Sequence, residues 1–339
     1  MRRGLTLGKF APFHRGHQML METALSEVDE LIVMVYATDL IHIPLQVRAG
    51  WIRKLYPRIQ VIEAWDGPEG YGNTPAIRRE QEQYILKKLN GLRITHFYSS
   101  EFYGEHVSRA LGAVDRRVDE ARVTVPISGT DLRADYFAGR EYLTPEVYND
   151  LISKVCFMGA PSTGKSTLTR AMAEYYNTVF MPEYGAEYWM KHQVDRRITL
   201  EQFEEIAPEH NRREDALVLQ SRNYLFCDTN PITTYVFAKD YHGCAGPVLT
   251  QLAGEATRRY DLFFLCDTDI PYADTWDRSG DQKRKWFQKQ IIGDLGERRI
   301  PFFRVSGTLE ERIEHVKLIL QKHHKFGNLL EIGSSLKQK

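Results

Sequence analysis

Two different phosphate-binding signatures lie in this chain, each at the head of its own series of short apolar runs alternating with helical segments. The first is Gly8-Lys9-Phe10-Ala11-Pro12-Phe13-His14-Arg15-Gly16-His17, answered far downstream by Ile127-Ser128-Gly129-Thr130-Asp131-Leu132-Arg133. The second is Gly159-Ala160-Pro161-Ser162-Thr163-Gly164-Lys165-Ser166, a complete phosphate loop. Each needs a strand before it and a helix after it, so that a Gly-rich turn presents backbone N–H groups at a helix N-terminus. With 339 residues available, two separate α/β domains follow naturally.

In the first series, strands are expected at Leu5 to Phe10, Leu31 to Tyr36, Ile59 to Ala64, His96 to Ser99 and Val123 to Ile127. In the second they are expected at Val155 to Gly159, Val179 to Glu183, Leu225 to Asp228, Leu262 to Asp267 and Phe302 to Ser306. This alternation predicts mostly parallel sheets with helices on both faces, and ligands bind such sheets beyond the C-terminal strand ends. Thr144 followed by Pro145 reads as a helix cap and first helical residue, closing the first domain. The expected division is therefore 1–150, 151–325 and a C-terminal tail at 326–339, with no internal repeat.

Lys plus Arg (45) equals Asp plus Glu (45), so no overall field favours nucleic acid or an anionic membrane. Cys156, Cys227, Cys244 and Cys266 show no short paired spacing, and reduced structural thiols are expected. The first strand starts almost at Met1, leaving no room for a signal peptide. No apolar stretch approaches the roughly 18 residues of a membrane span. A soluble cytoplasmic protein is the expectation.

The second signature is expected to hold ATP through Gly159, Ala160, Pro161, Ser162, Thr163, Gly164, Lys165, Ser166 and Thr167. Lys165 would reach the β- and γ-phosphates and Ser166 would ligand Mg2+. Asp228, ending an apolar run, is the expected acidic partner of the metal. Glu183 is placed to orient or deprotonate an acceptor hydroxyl, with Glu187 and Asp195 close by as alternatives. Arg278 and Arg284, both in the basic stretch Asp277 to Lys285, are candidates to neutralise the transferring phosphoryl group.

In the first signature, Gly16 leaves room for close backbone approach. His14 and His17, on one helical turn, can donate to α-phosphate oxygens during an in-line displacement. Ser128, Gly129 and Thr130 at the next helix start would bind the β- and γ-phosphates. Arg133, one turn on, would neutralise the leaving pyrophosphate. Gly8, Lys9 and Phe10 complete the expected ATP contacts. Such a site works by positioning and charge stabilisation, without a covalent intermediate.

The segments Gly8 to His17 and Ile127 to Arg133 resemble the nicotinamide mononucleotide adenylyltransferases of the HxGH nucleotidyltransferase superfamily. Joined to a phosphate loop domain, they resemble the bifunctional NadR-type proteins over about Leu5 to Lys322. Flanking support comes from Arg48-Ala49-Gly50-Trp51-Ile52, Ser99 to Gly104, Pro182-Glu183-Tyr184-Gly185 and Asp228-Thr229-Asn230 with Thr233-Thr234. The resemblance implies an α/β fold with a Rossmann-like nucleotidyltransferase sheet followed by a P-loop kinase sheet. It implies a ribosylnicotinamide kinase that makes nicotinamide mononucleotide from nicotinamide riboside and ATP, and an adenylyltransferase that makes NAD and pyrophosphate, with Mg2+ in both. Gly129 stands where many relatives have a second Ser. The helix-turn-helix that some members carry at the N-terminus is not expected, since only Met1 to Gly4 precede the strand.

The same pair of motifs fits a coenzyme A synthase acting on phosphopantetheine and dephospho-coenzyme A, and a non-catalytic sensor of ATP or NAD is a further reading. Trp51, Trp65 and Tyr103 are available to stack on a nicotinamide ring. The oligomeric state is left open, a homo-oligomer included.

Overall fold

In a computed structural model of the chain, the described residues are 1–38, 41–68, 74–100, 104–272 and 281–327, with side chains excluded at 281 and 282. Expectations at Arg278, at Tyr103 and in the tail beyond 327 lie outside them. The chain forms two compact units, Met1–Tyr148 and Asn149–Lys339.

The first unit runs β1 (Arg3–Gly8), α1 (Arg15–Glu27), β2 (Glu30–Tyr36), α2 (Leu45–Leu55), β3 (Gln60–Ala64), α3 (Pro75–Leu89), β4 (His96–Ser99), α4 (Gly104–Leu111), β5 (Val114–Arg117), α5 (Gly129–Ala134) and α6 (Pro145–Leu151), the last crossing the division. Its sheet is parallel in the order β3-β2-β1-β4-β5. The β2 run Leu31 to Val35 is buried at every residue, as a central parallel strand covered on both faces must be. Leu5, Ile32, Met34 and Phe97 from the sheet pack with Ile85 and Leu89 of α3 and Val107 of α4. The chain builds outward from β1 to β3, then returns to the other side of β1 with β4. The crevice beyond β1 is thus the topological switch point, where an open α/β sheet takes its ligand.

One expected strand is absent: Val123 to Ile127 lies in irregular structure, and the edge strand is β5. The Asp119 carboxylate accepts the N–H groups of Val123, Thr124 and Val125 at 2.9, 3.0 and 2.9 Å. Those donors are therefore taken from any ladder, and Val123 is 82% exposed. β1 also ends earlier than expected, because Phe10 adopts φ +49°.

The second unit runs β6 (Ser153–Met158), α7 (Lys165–Tyr175), β7 (Phe180–Met181), α8 (Tyr184–His192), α9 (Leu200–Val218), β8 (Tyr224–Asp228), α10 (Pro231–His242), α11 (Pro247–Arg259), β9 (Leu262–Cys266), α12 (Asp281–Glu297), β10 (Phe303–Val305) and α13 (Leu309–Leu320). Its parallel sheet has the order β10-β9-β6-β8-β7. β6 is wholly buried, and Val155 and Phe157 pack with Phe226, Phe264, Leu168, Val316 and Ile319. A second apolar cluster, including Tyr188, Phe203, Ile206, Ala238 and Leu249, joins α8, α9, α10 and α11. β7 is only two residues long, since Pro182 has no N–H to continue it. Cys156, Cys227 and Cys266 are buried free thiols, while Cys244 is exposed. Among the described residues no helix is long and apolar enough to cross a membrane.

Candidate functional site

In the first unit, His14 is the N-cap of α1 and His17 its N3 residue. The Gly16 N–H donates to His14 Nδ1 at 3.1 Å, and the His14 N–H donates to His17 Nδ1 at 3.3 Å. With both Nδ1 atoms accepting, each neutral ring carries its proton on Nε2. The ring centroids lie 3.8 Å apart, and Phe10 and Phe13 flank His17 at 4.9 and 5.7 Å. Desolvation, with the Arg122 charge second, lowers the His14 pKa to about 4. Desolvation, His14 and Arg122 hold His17 well below its ordinary value. Both are neutral hydrogen-bond donors at pH 7. A Cβ on Gly16 would lie 3.0 Å from the His14 ring, so glycine here lets the imidazole fold over its own helix start.

The downstream half of the signature meets the upstream half directly. Arg133 donates to the Ala11 carbonyl at 2.5 Å and to Thr130 Oγ1 at 3.0 Å, across 122 residues of sequence. Ser128 caps α5, accepting the Asp131 N–H at 3.1 Å and donating to its carboxylate at 2.5 Å. A Cβ on Gly129 would stand 3.2 Å from both the Ala11 oxygen and Arg133 Nη1. That close approach is a physical reason for glycine at this position. Gly8 lies under the Phe10 ring, 3.4 Å from where its Cβ would be.

The Lys9 carbonyl accepts a bond from Arg48, a residue not singled out for a role in the sequence. Arg48 is 1% exposed, and it also donates to the carbonyls of Tyr36 and Ile43, each at 2.9 Å. It ties the ends of β1 and β2 together beneath the site. Desolvation lowers its pKa to about 10.

In the second unit the phosphate loop follows β6. Gly159 has φ +144°, and a Cβ there would lie 2.7 Å from the Cys266 carbonyl, a position only glycine tolerates. Gly164 has φ +80° at the start of α7. Lys165 is buried, with Nζ 3.0 Å from the Ala160 carbonyl, which Thr163 Oγ1 also reaches at 2.8 Å. Pro161, Ser162, Ser166 and Thr167 line the adjoining cavity.

Three side chains from α12 and α13 brace this loop. Arg284 donates to Ser162, Ile270 and Thr268 carbonyls at 3.3, 3.1 and 3.2 Å. Gln288 bridges the Ala160 N–H at 2.7 Å and the Cys266 carbonyl at 3.0 Å. Arg312 donates to the Thr163 carbonyl at 2.7 Å and to Gly307 at 3.0 Å, and pairs with Asp269. Gln288 and Arg312 were not expected from the sequence. Their signal is a polar side chain on an apolar helical stripe: Arg312 with Val316, Ile319 and Leu320, and Arg284 and Gln288 with Phe287, Ile291 and Leu295.

Two carboxylates converge on Lys165. Burial lifts the Glu183 pKa to about 7, with Lys165 opposing the rise and Asp228 adding to it. Burial also raises Asp228, while Lys165 and a hydrogen bond with Ser166 oppose. Asp228 Oδ1 is buried without a hydrogen-bond partner among the described residues. A carboxylate oxygen beside a Ser hydroxyl and a phosphate loop is a hard oxygen donor set suited to Mg2+, which keeps several waters and binds substrate phosphates. Among the described residues no group of three His, Cys, Asp or Glu could hold a metal by itself. Glu187 is instead exposed and paired with Lys191 and Arg213 at 2.7 and 2.8 Å.

A cavity of about 590 Å³ runs from the phosphate loop past Glu183 to a wall of Trp189, Phe203, His210, Phe237 and Tyr241. None of those five was anticipated. Of the expected stacking aromatics, Trp51 is 3% exposed in the first unit's core and Trp65 is 54% exposed.

Residues 5–135 match the Cytidylyltransferase-like family and residues 154–312 the AAA domain family. The chain is 30% identical over 330 residues to the Trifunctional NAD biosynthesis/regulator protein NadR of Escherichia coli K12, covering 89% of this chain and 78% of that protein. It is 29% identical to the protein of that name from Salmonella typhimurium LT2, with the same coverage. A 42-residue stretch, 12% of this chain and 25% of that protein, is 48% identical to a nicotinamide-nucleotide adenylyltransferase of Methanocorpusculum labreanum. In fold, the chain is similar to a NadR protein in complex with NAD and AMP-PNP (TM-score 0.54, 21% identity, 93% of this chain and 94% of the other). It is also similar to one in complex with NR (TM-score 0.53, 23% identity, 90% and 88%).

Proposed function

Since the chain belongs to the NadR family, we propose that it is a bifunctional ATP-dependent transferase of NAD synthesis. The second unit phosphorylates nicotinamide riboside to nicotinamide mononucleotide; the first adenylylates the mononucleotide to NAD. The observation that carries the kinase assignment is a single cavity joining the phosphate loop to an aromatic pocket, with Glu183 between them.

In the kinase step, Glu183 takes the proton of the riboside 5′-hydroxyl as that oxygen attacks the γ-phosphorus and ADP departs. A carboxyl lifted to about 7 is suited to accept that proton at neutral pH. Lys165 follows the β- and γ-phosphates, swinging from the Ala160 carbonyl, and loop amides from Gly159 to Thr167 hold the remaining oxygens. Ser166 and Asp228 would hold Mg2+, which would supply charge neutralisation at the transferring phosphoryl. Arg284 acts here by bracing the loop at Ser162, and Arg278 is proposed to bring its charge to the transferring phosphoryl group. The aromatic wall holds the nicotinamide ring.

In the adenylyl step, a phosphate oxygen of the mononucleotide attacks the α-phosphorus of ATP, and the bond to the β-phosphate oxygen breaks to release pyrophosphate. Nε2–H groups of His14 and His17 donate to the α-phosphate oxygens as charge gathers there. Gly16 leaves room for close approach of the nucleotide beside Gly8 and Phe10, and Lys9 is directed at the β- and γ-phosphates. Ser128, Gly129, Thr130 and Arg133 receive the β- and γ-phosphates, with Mg2+ accompanying ATP.

Two substitutions test the division of labour. Lys165→Ala abolishes riboside phosphorylation and spares NAD formation from supplied mononucleotide, while His17→Ala does the reverse. Loss of both activities in either folded variant contradicts the two-site account.

A further inference from the structure

A riboside phosphorylated in the kinase cavity has its 5′-hydroxyl at Glu183 beside the phosphate loop and its base at the aromatic wall. Its sugar must then lie between them, with two vicinal hydroxyls taken out of water. A hydroxyl buried without a partner is costly. A cavity that takes a ribose therefore needs hydrogen-bonding groups at that middle position.

Asp240 and Lys283 both line the cavity. They come from α10 and α12, and Lys283 Nζ lies 2.9 Å from Asp240 Oδ2. Their chain neighbours say where the pair stands. Arg284, next to Lys283, donates to the Ser162 carbonyl of the phosphate loop at 3.3 Å. Tyr241, next to Asp240, belongs to the aromatic wall. One turn away on each helix, Phe237 and Phe287 meet with ring centroids 4.3 Å apart, which holds α10 against α12 and sets the span of the pair. The pair thus bridges the cavity between loop and wall.

The Asp240 side chain is 11% exposed and that of Lys283 42%, so the carboxylate is the sheltered member and the ammonium the solvated one. Lys283 engages Oδ2, and an ionised carboxylate has further lone pairs to offer. A carboxylate is a strong acceptor for sugar hydroxyls, the role an acidic residue plays on the ribose of a bound dinucleotide.

We propose that Asp240 is the ribose-recognising residue of the kinase cavity, accepting hydrogen bonds from the 2′- and 3′-hydroxyls of the riboside, and that Lys283 is the residue that positions it. The inference rests on the kinase reading of the second unit. It makes the site selective for ribosides over deoxyribosides, a distinction that neither the phosphate loop nor the aromatic wall can draw.

The test uses the full chain with Mg2+ and ATP, and measures phosphorylation of nicotinamide riboside and of its 2′-deoxy and 3′-deoxy counterparts. Wild-type kcat/KM falls about 30-fold on at least one deoxy counterpart, within the range for a hydrogen bond lost from a charged acceptor. Asp240→Ala loses about as much with the riboside, chiefly through KM, and loses little more with that counterpart, because hydroxyl and carboxylate are the two ends of one interaction. Lys283→Met raises KM in the same direction, and the double variant Asp240→Ala with Lys283→Met falls no further than Asp240→Ala alone. Wild-type protein that uses the riboside and both deoxy counterparts equally well overturns the proposal, as does Asp240→Ala with an unchanged KM for the riboside. An equal fall of Asp240→Ala on all three acceptors overturns it too, by revealing damage to the unit in place of a lost contact. Wild-type protein that phosphorylates none of the three overturns instead the kinase reading itself.

Discussion

The backbone N–H of His14 donates to Nδ1 of His17 across 3.3 Å, so one imidazole of the motif fixes the tautomer of the other. The Gly16 N–H does the same for His14. The hydrogen-bonding pair at the first site is thus set by the opening turn of α1, before any nucleotide arrives.

The two activities should consequently separate with pH. A His14 pKa near 4 keeps the imidazoles neutral throughout pH 5.5 to 8, and kcat/KM for NAD formation stays flat across that range. Glu183, near 7, becomes protonated as the pH falls and can no longer accept the hydroxyl proton. Riboside phosphorylation then loses rate below about pH 7, roughly tenfold per unit in kcat/KM for a single essential base. Glu183→Gln removes that limb and most of the rate. Parallel pH profiles for the two reactions would contradict both assignments.

The same imidazoles affect stability in the opposite pH range from a salt-bridged histidine. Their folded pKa values lie below the unfolded value, so the unfolded chain binds more protons between about 4 and 6.5. The first unit is predicted to lose denaturation midpoint as pH falls through that window. His14→Asn, which does not titrate, flattens the loss, as thermal melts at pH 7 and 5 would register.

Gly159→Ala is expected to damage the kinase through sterics alone. The new Cβ would meet the Cys266 carbonyl at 2.7 Å in a backbone region hostile to L side chains, displacing the phosphate loop from β9. Overpacking of this kind costs about 1–3 kcal/mol. Kinase activity should disappear while NAD formation from supplied mononucleotide persists.

Arg48→Met should lower stability with little warning from the surface. It keeps the volume of a fully covered side chain but leaves the carbonyls of Lys9, Tyr36 and Ile43 without their donor. A loss of about 3 kcal/mol follows from stranding buried acceptors that a charged group had satisfied. Urea unfolding of the variant checks this. NAD formation should fall with it, since the Lys9 and Phe10 backbone is anchored there.

The motif residues and the parallel strands were legible because their patterns are local: β-branched runs, glycines at turns, an imidazole pair on one helical turn. His96 to Ser99 is a strand with the expected bounds. The Val123 segment misled because its strand-like side chains say nothing of Asp119, whose carboxylate claims the backbone donors. Arg48, Gln288 and Arg312 were hidden for another reason. Each sits on the apolar stripe of an amphipathic helix, and its partners are carbonyls of segments remote in sequence. The pattern could have flagged them as buried polar groups, though their partners emerge only once the sheet is assembled. The aromatic wall of the kinase cavity has no motif at all, because its residues come from α8, α9 and α10 with unrelated spacings.

The most direct test of the central claim is to incubate the purified chain with Mg2+, ATP and either nicotinamide riboside or phosphopantetheine, and to resolve the products by mass. The two-site account predicts nicotinamide mononucleotide followed by NAD in the first reaction and no adenylylated product in the second. Dephospho-coenzyme A or coenzyme A from phosphopantetheine, or no product from the riboside, would contradict it.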